Sequence, residues 1–395
     1  MTEQHTPGAR GSALALLALG LGAFAISTSE FASMGLMPLF AGDLGLSIPA
    51  AANGITAYAV GVMIGAPVLT IATARLNKKR LLIALIVLAF LANICTAFAG
   101  DLVSLIAGRF LSGLPQGVYF GAASTVATRI VGPDRAGRAV SLVFSGISVA
   151  TIAGAPLGTF IGQQFDWRAA YAAIGLLALA AALVLAFAVP QRRDLAGGPI
   201  RQELASLRRL NVWIMVLFCS FAVASLFAIY TFIGPLVTGV AGMPASMTPV
   251  AQMLIGFGIA LGALWGGAMA DRYRFRAMIL ALMTAMAAMV AMYFLAPVAI
   301  ALMAMFFVCA FLLNAAVPSI TVQMMRMAPE SPTMMGALNM AAFNIANAVG
   351  AIAGAVTVDA GWGLRSPILA GFGLTGLALA VFGLAWPCLR SHRGA

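Results

Sequence analysis

Residues 13–40 read ALALLALGLGAFAISTSEFASMGLMPLF, an apolar stretch whose one ionisable side chain is Glu30. A helix crosses the hydrocarbon core of a bilayer with roughly 20 apolar residues, so this run is long enough to span. It is too long for the apolar core of a secretory signal peptide, which runs about 7–15 residues. The pattern recurs at 50–72, 81–99, 102–128, 139–164, 167–189, 211–238, 248–270, 277–297, 299–323, 334–357 and 365–388. The 395-residue chain is 62% hydrophobic and only 8% charged, against about 25% charged in soluble domains. A water-soluble fold is excluded. With no Gly-X-Y period and no polar tract, collagen-like and disordered chains are excluded too. The predicted fold is an all-α polytopic membrane protein of twelve transmembrane helices.

The same inventory removes several chemistries. The only lysines, Lys78 and Lys79, do not follow a glycine-rich loop, so there is no ATP-binding P-loop. His5 and His392 lie in the tails, which takes histidine metal sites and Ser–His dyads out of the membrane interior. Asp43, Asp101, Asp166 and Asp359 fall at the ends of apolar runs, so the paired acids of an intramembrane protease are missing. The four cysteines sit inside apolar runs without CxxC spacing and read as packing residues. No enzymatic activity, metal or organic cofactor is expected.

Basic residues concentrate in alternate loops: Arg75 to Arg80, Arg129 to Arg138, Arg192 to Arg209, Arg272 to Arg276, and Arg326. The other loops hold only Arg168 and Arg365. By the positive-inside rule both termini are cytoplasmic. The net charge of +11 is then topological, and nucleic acid is not an expected partner.

The longest polar stretch divides the chain into a tail (1–12), a six-helix bundle (13–189), a cytoplasmic linker (190–210), a second six-helix bundle (211–388) and a second tail (389–395). An offset of 197 positions aligns Pro38, Leu39, Gly42 and Gly45 with Pro235, Leu236, Gly239 and Gly242. It also aligns Gly61 and Gly65 with Gly258 and Gly262, Arg75 with Arg272, and Arg168 with Arg365. One constant offset across loops and spans indicates two pseudo-symmetric halves in parallel orientation. Transporters built this way place the substrate site between the halves near the midplane.

Glu30 and Arg109 are the only ionisable side chains well inside the apolar runs. A charge at mid-membrane costs roughly 2.5–3.5 kcal/mol even on lenient scales. Desolvation favours a neutral carboxyl and a nearby cation favours a charged one, and their competition makes protonation switchable. A static structural pair, with Arg109 snorkelling to the surface, is the competing reading.

Gly146, Gly154, Pro156 and Gly158 in the fifth run suit close helix contact and a bend. Gly267 and Asp271-Arg272, at the end of the eighth, suit an ionic latch or a solvated basic loop; Ala74 leaves the first-half equivalent around Arg75 without the acid. Asn339, Asn344 and Asn347 in the eleventh run either contact a polar substrate or join helices. Tyr58, Gln116, Tyr119, Tyr230, Asn314 and Gln323 are further candidates for a cavity lining.

Together these residues resemble the major facilitator superfamily over practically the whole chain. Gly267 to Arg272 is similar to its signature loop, Arg109 to Gly113 to its fourth-span motif, and Gly146 to Gly158 to its fifth-span antiporter motif. Ser27-Thr28-Ser29-Glu30-Phe31, Gly65-Ala66-Pro67 and Trp167-Arg168 resemble the bacterial arabinose-type sugar, amphenicol and purine ribonucleoside exporters of the drug:proton antiporter branch. The resemblance implies the major facilitator fold, alternating access and export coupled to proton entry. It implies proton relay for Arg109, helix bending for Gly154 to Gly158, and a cytoplasmic gate for Asp271-Arg272. The first-half loop departs from the pattern at Ala74 and Asn77.

The expected protein is a proton-coupled efflux transporter of a bacterial inner membrane. Its partners are a small organic molecule, protons and membrane lipid, and it works as a monomer. A passive facilitator in which Glu30 and Arg109 are structural is the alternative, followed by a sensor built on a transporter fold.

Overall fold

The computed structural model describes residues 9–73, 76–132, 135–190, 208–273, 275–328 and 332–390, without the side chains of 9–10, 270–273, 275, 332–334, 337 and 386–390. Arg75, most of the linker, and the side chains of Asp271 and Arg272 lie outside the described residues, and the expected latch with them.

The described residues form twelve spans. The first three are single helices, Ala9–Asp43, Ile48–Ala72 and Lys78–Ala97. Local signals start them: Ser47 Oγ accepts from the Ala50 N–H with Pro49 in the first turn, and Asn77 Oδ1 accepts from the Lys79 N–H at 3.0 Å. Asn77, a departure from the family pattern, is therefore the cap of the third span. The fifth span runs through Ala136–Val149, a wider π-helical turn at Ala150–Gly154 and Ala155–Gln164; the sixth is Trp167–Ala188.

Among the described residues, eleven helices are long and apolar enough to cross a bilayer by length and composition. The fourth expected run is two shorter helices, Leu102–Gly113 and Gln116–Val131. They are separated at Leu114-Pro115, where Pro115 has no N–H to continue the ladder.

In the second half, Leu210–Thr231 opens the seventh span, which ends in a π-helical turn at Leu236–Val240. Met247–Tyr273 and Phe275–Leu295 are the eighth and ninth. Ala299–Ala315 with Val317–Met327 is the tenth, Pro332–Thr357 with Val358–Trp362 the eleventh, and Ser366–Arg390 the twelfth.

The internal repeat holds in three dimensions. The backbone of Gly61 lies against the Phe110 carbonyl and that of Gly65 against the Leu114 carbonyl, leaving no room for a Cβ. Gly258 and Gly262 lie in the same way against the carbonyls of Phe307 and Phe311. Both glycines and both partners keep the 197-residue offset. Gly45 and Gly242, also 197 apart, share a φ of 64° at the turn after the first span of each half, a backbone that glycine adopts without strain.

The halves meet on the side away from the basic loops. Gln163 Nε2 donates to the Ala245 carbonyl at 2.7 Å, and Pro38 packs on Gly234. Phe31 stacks on Tyr230 with centroids 5.8 Å apart. Gln252 Nε2 reaches the Phe31 carbonyl at 3.4 Å. Nearer the basic face, a separate apolar core built on Leu19, Ile86, Tyr119, Val126 and Ala182 lies within the first six spans.

Candidate functional site

The first span carries Ser27, Thr28, Ser29, Glu30 and Ser33 into the protein interior. Glu30 is 6% exposed. Its Oε2 accepts from Gln116 Nε2 at 2.7 Å, and its Oε1 accepts from Asn347 Nδ2 at 2.9 Å. Gln116 is the first residue of the helix that resumes after the Leu114-Pro115 break. Asn347 comes from the eleventh span, in the opposite half. Each carboxylate oxygen thus receives one amide N–H, one from each half. The carbonyl oxygens of Gln116 and Asn347 have no protein partner, so acceptors remain beside the carboxylate for a donor on a bound molecule.

Arg109, 1% exposed, does not pair with Glu30. Among the described residues no carboxylate lies within 4.0 Å of its guanidinium. Its Nη1 donates to Ser29 Oγ at 3.1 Å. Ser29 Oγ donates onward to Asn93 Oδ1 at 2.6 Å, and Asn93 Nδ2 to the Ala89 carbonyl at 2.8 Å. The guanidinium carbon lies 4.5 Å from the Tyr58 ring centroid and 5.4 Å from that of Tyr171. Cation–π contacts of desolvated groups are worth about 2 kcal/mol, which offsets part of the cost of burying Arg109. The two tyrosines are fixed in turn: Tyr58 donates to the Ile26 carbonyl at 3.3 Å and Tyr171 to Ser33 Oγ at 2.8 Å. Opposite charges therefore sit on neighbouring parts of one polar cluster without touching.

Among the cavity candidates, the structure gathers Gln116 and Asn347 at Glu30. Tyr58 is a wall for Arg109. Tyr230 sits against Phe31 with a buried hydroxyl that has no protein partner. Tyr119 lies elsewhere: it is fully buried in the first-half core and donates to the Leu19 carbonyl at 2.8 Å, because the ring fills the gap between the fourth and first spans. Asn314 ties the tenth span to the eighth through the Ile259 carbonyl at 2.6 Å. Asn344 folds back on its own helix at the Met340 carbonyl, 2.9 Å. Asn339 donates to Thr321 Oγ1 at 3.3 Å, and Gln323 is buried in the tenth span.

The fifth-span glycines form a stripe against the first span. Gly146 meets the Gly20 carbonyl and Phe24 N–H, Gly154 meets Thr28, and Gly158 meets Ala32. The regular helix is interrupted just before Pro156, by the π-helical turn at Ala150–Gly154, and Pro156 lies in the first turn of the helix that follows. At the end of the eighth span the tightly packed glycine is Gly266, against the Ala315 carbonyl; a Cβ on Gly267 would meet open space.

Sequence reasoning passed over Asn93, Tyr171 and Ser33. Asn93 carried a signal, as the one side-chain amide within the 81–99 run. Tyr171 and Ser33 carried none.

Residues 19–351 match the model of a family described as Major Facilitator Superfamily. The chain is 35% identical over 348 residues to the inner membrane transport protein YdhP of Escherichia coli K12, covering 88% of this chain and 90% of YdhP. It is 32% identical to a chloramphenicol resistance protein of Streptomyces lividans, covering 90% of this chain and 92% of that protein. Its fold resembles the crystal structure of a bacterial homolog of the human lysosomal transporter Spinster, with a TM-score of 0.82 at 16% identity, covering 98% and 100% of the two chains.

Proposed function

We propose that this chain, which belongs to the Major Facilitator Superfamily of membrane transporters, is an exporter that exchanges a small organic molecule for a proton. The observation that carries this reading is the Glu30 carboxylate, buried and bonded by Gln116 of its own half and Asn347 of the other. Bound to both halves, the charged carboxylate holds the interface together at that depth. Once protonated, one oxygen becomes a donor and no longer accepts two N–H groups equally. Protonation and separation of the halves are then linked, which is what alternating access coupled to protons requires. Arg109 keeps a permanent positive charge beside the carboxylate, and the acceptors of Gln116 and Asn347 face the substrate.

The basic loops face the cytoplasm of a bacterial cell, and the membrane is the inner one. Entry of one proton down a potential of 100 mV releases about 2.3 kcal/mol. At 1.4 kcal/mol per decade that supports a nearly fiftyfold gradient from one coupled site. A single ionisable acid at this depth suits neutral or weakly polar cargo, and the chloramphenicol resistance relative makes an amphenicol the first compound to try.

Thermal stabilisation of the purified protein against amphenicols, pentoses, nucleosides and lipophilic cations identifies a cargo. In proteoliposomes that cargo should then accumulate against its gradient only while a proton gradient is imposed. Glu30→Gln should stay folded and abolish the accumulation. Uphill transport by that variant would refute the assignment, and accumulation indifferent to the proton gradient would refute coupling altogether.

A further inference from the structure

On the side away from the basic loops, the two halves repeat one piece of architecture with different chemistry. In the first half Arg168 opens the sixth span and forms an ion pair with Asp43 at the end of the first. The same Nη1 lies 3.8 Å from Asp166 Oδ2, and Nη2 donates to the Ala99 carbonyl at 3.1 Å. The indole of Trp167 donates to Asp43 at 3.1 Å while its ring lies 4.2 Å from the guanidinium carbon. Two carboxylates of the same half therefore neutralise this arginine.

The counterpart 197 positions on is Arg365, which immediately precedes the twelfth span. The counterparts of Asp43 and Asp166 are Val240 and Gly363, and neither carries a charge. Among the described residues no carboxylate lies within 4.0 Å of Arg365, and Asp359, on the exposed turn before it, forms no ion pair with it. Instead, Val240, Gly363 and Arg365 line one cleft of about 340 Å³ that is open to the surface and is also lined by Tyr293 and Trp362. That volume falls at the lower end of the range for small-molecule sites, about 300–1,000 Å³. Gly363 has a φ of 83°, a backbone that an aspartate would adopt only with strain, so an acid at the position equivalent to Asp166 is disfavoured in the second half.

We propose that this cleft binds an oxyanion, a carboxylate or phosphate group, which stands to Arg365 as Asp43 and Asp166 stand to Arg168. Arg365 supplies the charge-assisted hydrogen bonds. Tyr293 and the 64%-exposed Trp362 flank the anion with aromatic surface of the kind found at membrane interfaces. The group belongs either to an anionic lipid headgroup or to a soluble anion, and both present the same oxygens.

Thermal unfolding of the purified full chain in detergent tests this. Inorganic phosphate, acetate, short-chain phosphatidylglycerol and short-chain phosphatidylcholine are titrated separately, with sodium chloride at matched ionic strength as control. At least one of the three anions should raise the unfolding temperature saturably, beyond the salt control and phosphatidylcholine. A response to phosphatidylglycerol alone identifies the headgroup; a response to phosphate or acetate identifies a soluble anion. Arg365→Gln should weaken the response about tenfold or more. Val240→Asp, which copies the first half, should raise the anion-free unfolding temperature and remove the response. The proposal falls if no anion stabilises the wild-type chain, or if the stabilisation persists unchanged in either variant.

Discussion

Asn347 donates its side-chain N–H to Glu30 at 2.9 Å, although 317 positions and the whole pseudo-symmetry of the molecule separate them. Glu30 has no acidic counterpart in the second half, where the repeat places Phe227, and Arg109 is answered by Phe306. The halves share a backbone, down to the glycine contacts at Gly61 and Gly258. Only one of them carries the buried charges. The other contributes an amide donor, so the ionisable centre is asymmetric while the frame that moves it is symmetric.

If that donor transmits protonation to the interface, Asn347→Ala should uncouple transport without stopping it. Losing a hydrogen bond to a charged group costs about 1.5–3 kcal/mol, so proton-driven accumulation should fall roughly tenfold or more while cargo counterflow persists. Asn347→Asp puts a second carboxyl against Glu30, and two carboxylates sharing a site cannot both ionise freely; accumulation should then be lost outright. Parallel counterflow and accumulation assays in proteoliposomes check both. Equal losses in the two assays for Asn347→Ala would contradict a coupling role.

Asn93 acts one bond further out. By accepting the Ser29 hydroxyl proton at 2.6 Å it turns the Ser29 lone pairs toward Arg109. Asn93→Ala releases that hydroxyl and leaves Arg109 between Tyr58 and Tyr171 without an oriented acceptor. A net hydrogen bond of about 0.5–1.5 kcal/mol corresponds to a loss of roughly three- to tenfold in transport rate. Asn93→Ser, which keeps a hydroxyl acceptor, should recover part of it. The measurement is initial rate across a pH series, because a purely structural effect would scale every rate alike.

Much of this is legible in the sequence. The apolar runs, the 197-residue offset, and the isolation of Glu30 and Arg109 follow from composition and spacing, since a bilayer tolerates little else. The partners of the two charges were not legible. The sequence leaves open whether Glu30 and Arg109 meet; Arg109 turns to Ser29 and two tyrosine rings, because side-chain direction depends on how the helices rotate against one another. Gln116 and Asn347 carried a polar signal that did not say where they point. The fourth span looked continuous until Pro115 was seen to divide it, and Asn314 and Tyr119 proved to be helix fasteners because buried carbonyls happened to lie within their reach.

The glycine stripe sets a limit on what the fifth span tolerates. A Cβ on Gly146 would come 2.6 Å from the Gly20 carbonyl oxygen and 2.8 Å from the Phe24 nitrogen. Both are backbone atoms and cannot rotate away, so even Gly146→Ala must push the first span, the one that carries Glu30. Overpacking of this kind costs about 1–3 kcal/mol. The expected outcome is a lower unfolding temperature together with loss of transport. Gly267→Ala, where the new atom meets open space, should change neither by more than about 0.5 kcal/mol.

Two tyrosines separate fastening from lining by the same substitution. The Tyr119 hydroxyl is bonded to the Leu19 carbonyl inside the first-half core, so Tyr119→Phe should lower stability by about 0.5–1.5 kcal/mol and leave cargo affinity unchanged. The Tyr230 hydroxyl is buried with no protein partner, on a ring stacked against Phe31, next to Glu30. Removing an unsatisfied buried hydroxyl is near neutral or stabilising, so Tyr230→Phe should keep or raise the unfolding temperature. If that hydroxyl bonds the cargo, the variant should lose about three- to tenfold in affinity, the equivalent of one neutral hydrogen bond. Unfolding curves with and without cargo read both quantities from one sample, and an unchanged affinity in Tyr230→Phe would take Tyr230 out of the binding surface.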